Sequence, residues 1–592
     1  MTMRSGFLAL LLSLLGAAGC AAHGSPQVPK TASSFDCKPG LPCWPTADEW
    51  QRLGASLTGR LEVPQSPLEA CRADATSSAC AAVLGQLKNP FYVEDQSAGT
   101  QSAGWLGAWT AASSAYAVVA KNAEDVARAV NFARAHGLRL VIKGTGHDYL
   151  GRSNAPDSLL VWTHEMRQVT LRDAFVGTGC PNTQPGTPAV SVEAGARWMD
   201  AYDEVTVKHA RYVQGGGCTS VGAAGGFMQG GGFGSWSKKY GTGAASMLEA
   251  EVVTADGKLR IANACQNQDL FWALRGGGGG TFGVVTKVIL MTHPLPTYFG
   301  QVLGSITAKN DTAFADLLEH FVRFYGERLS NEFWGEQVSV RGNDSLDLAM
   351  VFQGMTAKEA ERVWEPFRTW IDAHPESFAV HIDTIEIPGD KMWNSAYIQE
   401  HFPSALVRDP RPGQSGDRYW WIGDQGEIST YWYTYQSRWI PADHFDGSHA
   451  KSFAKSLFEA SRHWTVTLHF NKGQAGASAE AIQRDRETSM NPAVYQAAAL
   501  AILAAEGEGY PGVRGHEPHR EEGEVKKARV SAAMKILRDA TPGAGTYLNE
   551  TDYFEPHWQE SFWGENYPKL LGIKRKYDPD GFFTCHHCVG SE

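Results

Sequence analysis

Apolar positions change their period along the chain, and those changes mark its elements. Ala115-Tyr-Ala-Val-Val-Ala120 is a short continuous apolar run, the pattern of a buried strand. Asn122 follows as a capping residue, and Val126, Ala129, Val130, Phe132 and Ala133 then recur at helical spacing. Leu138-Arg-Leu-Val-Ile142 returns to a strand, so this stretch predicts a βαβ unit. A further α/β stretch runs from Ala189 to Met291 and ends in the strand-like Gly283–Leu290, with Thr292-His-Pro-Leu-Pro296 as punctuation. Beyond it, helices alternate with half-buried strands at Glu336–Val340, Leu346–Phe352 and Trp464–Phe470. Ala497–Ala505 is the longest later apolar run, and it is short enough to be a core helix rather than a membrane span. Glu506–Glu524, rich in glycine and charge, predicts a surface loop. The expected class is α+β: an α/β lobe followed by a lobe with an antiparallel sheet and helices.

A chain of 592 residues is long enough for more than one packed lobe. Its 43% hydrophobic and 20% charged residues exclude a disordered or fibrous protein. The net charge of −11 argues against nucleic acid or an anionic membrane surface as the main partner. Met1–Cys20 reads as an export signal: Arg4 gives the positive start, Phe7–Leu15 the apolar stretch, and Gly16–Cys20 a small-residue cleavage region. The apolar stretch is too short to span a bilayer. Cys20 after Ala-Ala-Gly resembles a lipobox cysteine, although Ala17 stands where Leu is usual. A lipid anchor at Cys20, on a periplasm-facing lipoprotein, and ordinary secretion therefore both stay open. Residues 21–110, rich in Pro, Ser and Cys, form an N-terminal wrapping segment with one helix around Thr46–Leu57.

Export permits disulfides, and the chain has ten cysteines. Cys71 with Cys80 is a plausible local pair, while spacing leaves the full connectivity open. Cys585-His-His-Cys588 is not a haem-attachment motif, because Val589 replaces the required His. Four ligands in four consecutive residues could hardly all reach one tetrahedral ion, and no second CxxC exists, so disulfide bonding is favoured over a metal. No metal site is expected.

Three glycine clusters carry the chemistry: Lys143–Ser153, Gly215–Gly226 with Gly230–Gly234, and Arg275–Gly283. Glycines let backbone N–H groups approach a phosphate closely, so a strand followed by such a loop suits a pyrophosphate. A nicotinamide Rossmann fingerprint is disfavoured, since after Gly144-Thr-Gly146 its third glycine position is Tyr149.

Gly146-His-Asp-Tyr-Leu-Gly151 and Gly217-Cys-Thr-Ser-Val-Gly222 resemble the two flavin-attachment motifs of the berberine bridge enzyme-like family, FAD-linked oxidases of the vanillyl-alcohol-oxidase fold. Gln268–Val285 resembles a third block, and Asn566-Tyr567 through Pro579 a C-terminal one, all in the family's order. Tyr577–Cys588 and Tyr547-Leu-Asn549 look most like secreted fungal-type members. The resemblance implies an FAD domain over 111–296, a substrate domain over 297–545, and a segment over 546–592 that returns to the FAD lobe. It implies bicovalent FAD, with His147 on the flavin C8α methyl and Cys218 on C6. Imidazole nitrogen and thiolate are nucleophiles able to add to an electrophilic ring. It further implies that Gly144, Thr145, Gly146, Asp148, Ser153, Val221, Gly222, Gly226, Gly232, Val284 and Asn549 surround the cofactor. Val221 at its motif position favours an oxidase that uses O2.

On the substrate side, alternation from Thr430 to Tyr435 would put Tyr431, Tyr433 and Tyr435 on one strand face, able to stack on a sugar or aromatic ring. His469, at a strand end, and Glu550, where plant relatives have Tyr, are the candidates for the base that takes a hydroxyl proton; Tyr433 comes next. The expected function is an exported FAD-dependent oxidase that takes hydride from an alcohol-type small molecule and forms H2O2. The alternatives are a flavin dehydrogenase with a periplasmic electron carrier and a non-catalytic ligand-binding lipoprotein.

Overall fold

The computed structural model describes residues 35–591 apart from 182, 184, 416 and 448. The expected export signal over Met1–Cys20 and the lipid anchor at Cys20 lie outside the described residues.

The βαβ unit forms as the sequence pattern predicts. Strands Tyr116–Val119, Ser158–Trp162 and Arg139–Lys143 are parallel neighbours, and Arg60–Glu62 pairs antiparallel at the edge. Between them, helix Ala123–Ala135 starts where the Asn122 side chain accepts from the Asp125 N–H, and it buries Val126, Ala129, Val130 and Ala133. The Asp125 carboxylate, buried at that helix start, accepts from the backbone of Thr58, Gly59 and Lys121. The N-terminal segment is thereby held to the sheet. A second sheet of six antiparallel strands contains Leu259–Asn263, Met247–Val253, Val284–Pro294, Thr187–Glu193 and Val169–Phe175 in that order, with Arg211–Val213 on the far end of Val284–Pro294.

The other lobe is built on a nine-stranded sheet with Thr430–Pro441, Ala497–Gly507 and Val466–His469 at its centre. Helices Asp311–Phe324, Ala357–Asp372, His449–Ser461 and Arg520–Ala540 bury their apolar stripes in one core on one of its faces. Strands Ser102–Trp105 and Trp109–Thr110 extend this sheet at its edge, so the N-terminal segment contributes strands to both lobes.

Ala497–Ala505 is not the expected core helix but most of strand Ala497–Gly507, hydrogen-bonded on both sides. Helix propensity is worth only tenths of a kcal/mol per residue. A ladder along the whole strand on one side and a shorter one at Leu500–Ile502 on the other outweigh it in a buried sheet, and the small side chains let helices pack closely above. The expected loop after it is shorter than predicted, since the strand runs to Gly507 and a helix begins at Arg520.

The C-terminal helix Tyr567–Tyr577 packs Leu570, Ile573 and Tyr577 into the same core as Leu270, Phe271 and Leu274. Disulfides join Cys37 to Cys43, Cys71 to Cys80, Cys180 to Cys265 and Cys585 to Cys588, and leave Cys218 free. Among the described residues no helix is long and apolar enough to cross a membrane.

Candidate active site

A cavity of about 1560 Å³ lies between the glycine clusters and the open face of the large sheet. Its first wall is the loop after Arg139–Lys143, at the carboxyl end of a parallel strand, where such sheets bind ligands. Gly146 takes φ +84°, a turn that a Cβ would strain. Asp148 closes the loop by accepting from the Arg152 backbone (2.6 Å) and Nε (2.7 Å). Lys143 is buried beneath, donating to the carbonyls of Gln96, Ser97 and Gly99.

The second wall, Gly215–Gly226, is stitched to the first. The Gly222 N–H donates to Thr145 Oγ1 at 3.0 Å, and His147 Nε2 lies 3.0 Å from Ser220 Oγ. His147 and the Cys218 loop are therefore neighbours, although a long stretch of chain separates them. Burial lowers the His147 pKa to about 4, which keeps the imidazole neutral with a lone pair available. Burial, with the charges of Asp424 and Glu427, raises the Cys218 thiol and keeps it protonated.

The third wall, Gly279–Gly283, is held from behind by the C-terminal segment. Trp563 Nε1 donates to Gly276 O at 2.9 Å and Lys574 Nζ to Thr281 O at 2.7 Å. Asn549 Nδ2 donates to Gly226 O at 3.0 Å, fixing the second wall from the same side.

These walls fit an FAD. A Cβ added at Gly217, Gly225 or Gly226 would point into open space, so side-chain-free backbone faces the cavity there. One added at Gly279 would come within 2.9 Å of Gly226 Cα, so the second and third walls meet backbone to backbone. Gln229 Oε1, Asn471 Oδ1 and Asp424 Oδ2 belong to cavity-lining residues and are buried without a protein partner, as expected of groups that serve a ligand. When bound, the flavin supplies a two-electron acceptor.

The opposite side is polar. His469 ends strand Val466–His469, and burial with the Lys472 charge depresses its pKa well below the usual range. Lys472 pairs with the Glu550 carboxylate. Tyr149 OH donates to Glu427 Oε2 at 2.6 Å, and the Tyr149 ring packs on Trp432 and Tyr435. Glu427 opens onto the cavity while protein surrounds it elsewhere, and this raises its pKa.

Of the residues singled out from sequence, the cavity gathers His147, Cys218, Gly144, Thr145, Gly146, Asp148, Ser153, Val221, Gly222, Gly226, Asn549, His469 and Glu550. Four lie elsewhere. Tyr433 packs with Tyr431 in the helix-side core, because a register shift between Trp432 and Thr434 breaks the alternation and turns Trp432 and Tyr435 to the cavity instead. Gly232 sits behind the wall, its N–H donating to Tyr547 OH. Val284 points into the core around helix Ala123–Ala135.

Glu336 was not expected. Strand parity puts it with Val338 and Val340 on the helix side, but φ +62° turns its carboxylate to the cavity, where Ser235 Oγ donates to it. Such a conformation costs about 1–3 kcal/mol, a strain that clusters at functional sites. An apolar-facing strand position occupied by Glu was the available signal.

Away from the cavity, Glu94, Asp95 and His164 bring ligand-type atoms together. The guanidinium groups of Arg167 and Arg197 lie against both carboxylates, and those of Arg411 and Arg418 against Asp95. Four cations already supply the positive charge, so this is an ion-pair knot in the N-terminal segment's attachment.

Residues 114–263 match an FAD binding domain family and residues 546–590 the "berberine and berberine like" family. The chain is 31% identical to the FAD-linked oxidoreductase easE of Trichophyton verrucosum, over 95% of this chain and 91% of that protein. It superposes on the VAO-type flavoprotein MtVAO615 from Myceliophthora thermophila C1 with a TM-score of 0.76 and 25% identity, covering 94% and 97% of the two chains. It shares the fold of glucooligosaccharide oxidase from Acremonium strictum, a 6-S-cysteinyl, 8α-N1-histidyl FAD enzyme, with a TM-score of 0.63 and 20% identity over 89% of this chain and 100% of that one. The matched domains, the near-full-length relative and the glycine-walled cavity agree: this chain belongs to the berberine bridge enzyme-like family of FAD-linked oxidoreductases.

Proposed function

We propose that the protein is an exported oxidase that holds FAD through His147 and Cys218, takes hydride from an alcohol-type substrate and passes the electrons to O2 as H2O2. The observation that carries this is one cavity bringing His147 and the free Cys218 together opposite a polar cluster from the other lobe. The arrangement parallels the cysteinyl, histidyl flavin named for the Acremonium strictum enzyme, and that enzyme's substrate makes oligosaccharides the first class to test. Four disulfides support an oxidising compartment. We also take 111–296, 297–545 and 546–592 as the FAD, substrate and returning segments.

Within this reading the substrate carbinol sits between the ring and the His469–Lys472–Glu550 group. The His469 imidazole is too weak a base to take the hydroxyl proton readily, and it serves as a neutral hydrogen-bond partner that orients the hydroxyl. Glu550 accepts the proton, with Lys472 holding its carboxylate in place. Asn549, the residue before it, ties this base to the Gly226 wall. The test is a panel of mono- and oligosaccharides and aromatic alcohols, assayed for carbonyl product and peroxide in air. Glu550→Gln should lower kcat by about 10²–10⁴-fold with little change in substrate affinity. Substrate oxidation without peroxide, at a rate set by an added electron carrier, would instead identify a dehydrogenase.

A further inference from the structure

The segment carrying Asp424 is locked against the Cys218 loop at both sides of the cysteine. Trp421 Nε1 donates to Gly217 O at 3.1 Å, and Thr219 Oγ1 donates to Tyr419 O at 2.6 Å. The short helix Ile422–Glu427 then sets the Asp424 carboxyl into the same cavity wall as Cys218, where the two side chains act on each other. Its Oδ2 is buried with no hydrogen-bond partner. Neighbouring groups are already engaged: Glu427 by Tyr149, Lys472 by Glu550, His147 by Ser220.

We propose that Asp424 is the base that accepts the Cys218 thiol proton when that sulfur bonds to the flavin ring. This rests on the bicovalent reading above and adds to it a residue acting on attachment itself. The need for a base is physical: the thiolate is the nucleophile, and Cys218 lies where its proton is held tightly. Burial and the Glu427 charge push the Asp424 carboxyl up to about 7, so it can hold a proton at neutral pH. In the overall step the Cys218 S–H bond and the C6–H bond of the ring break and one S–C bond forms. The two electrons and two protons released reduce one dioxygen to H2O2. Asp424 carries the sulfur's proton to solvent and is regenerated.

The experiment adds FAD in air to flavin-free full-length protein and follows attachment by mass spectrometry of the peptides that contain His147 and Cys218. The wild type should become modified on both. Asp424→Asn should be modified on His147, which also reports that the cavity is folded, while attachment at Cys218 slows by at least about 100-fold, the low end for loss of a general base. Asp424→Glu should restore much of the rate, and in Asp424→Ala added formate should accelerate attachment at Cys218 alone. Wild-type speed at Cys218 in both Asp424→Asn and Asp424→Ala overturns the role of Asp424 and leaves the bicovalent reading standing. Flavin on His147 alone in the wild type overturns both.

Discussion

Replacing Lys574 by methionine removes the clamp behind the third glycine wall while nearly conserving side-chain volume. The ammonium donates to Thr281 O at 2.7 Å, Phe583 O at 2.6 Å and Asp578 Oδ2 at 2.6 Å, with both charged groups buried. Each hydrogen bond to a charged group is worth about 1.5–3 kcal/mol taken singly. Burial nevertheless lowers the Lys574 pKa despite its ion pair, so desolvating the ammonium offsets much of that gain. What remains is the cost of stranding the Asp578 carboxylate and two carbonyls, about 3–5 kcal/mol for breaking a buried pair. Asp578 keeps the backbone N–H groups of Phe582 and Phe583 at 2.8 Å each, which places the expected value at the lower end. Adding Asp578→Asn removes the stranded charge, so the double variant should be destabilised less than Lys574→Met alone. The assay is unfolding in guanidinium chloride followed by tryptophan emission, with flavin emission recorded in parallel. Because Thr281 belongs to the wall, the change in flavin emission in Lys574→Met should precede the tryptophan transition, as the pocket opens around a flavin that stays bonded to the chain. A single variant within about 1 kcal/mol of wild type, or a double variant less stable than the single, would refute this account of the clamp.

Further outcomes follow from the same geometry. Cys218→Ala should keep flavin through His147 alone, seen as one modified peptide, and should show a lower flavin potential in a dye-equilibrium titration. Val221→Leu adds one methylene to a residue lining the cavity three positions after Cys218, and should slow reoxidation by air while leaving anaerobic reduction intact. Stopped-flow of the two half-reactions checks this, and equal slowing of both would mean a packing defect. His293 is half-buried against Tyr240 with its Nε2 fully enclosed, and this burial with Arg484 and Arg211 lowers its pKa to about 3. The unfolded chain, titrating near 6.5, therefore binds the proton first, and stability present above that pH is lost as pH falls toward 3. His293→Phe should flatten this acid limb in unfolding measured from pH 7 to 4.

The sequence by itself determined the parts whose physics is local. The helix after Asn122 needs only its cap and apolar spacing, and the glycine clusters around His147 and Cys218 mark backbone that must stand close to something. Tertiary structure decided whatever depends on distant partners. Ala497–Gly507 is a strand because two neighbouring ladders outweigh alanine's preference, and Tyr433 leaves the cavity because a bulge resets the alternation it was read from. Glu336 enters the cavity through a backbone angle that spacing does not encode. Asp424 and Glu427 ride on a short turn with no period to read, and matter only because Trp421 and Thr219 lock that turn onto the Cys218 loop. A residue's type can announce what chemistry it offers, but the low dielectric and the partners that make it act are assembled only when remote segments meet.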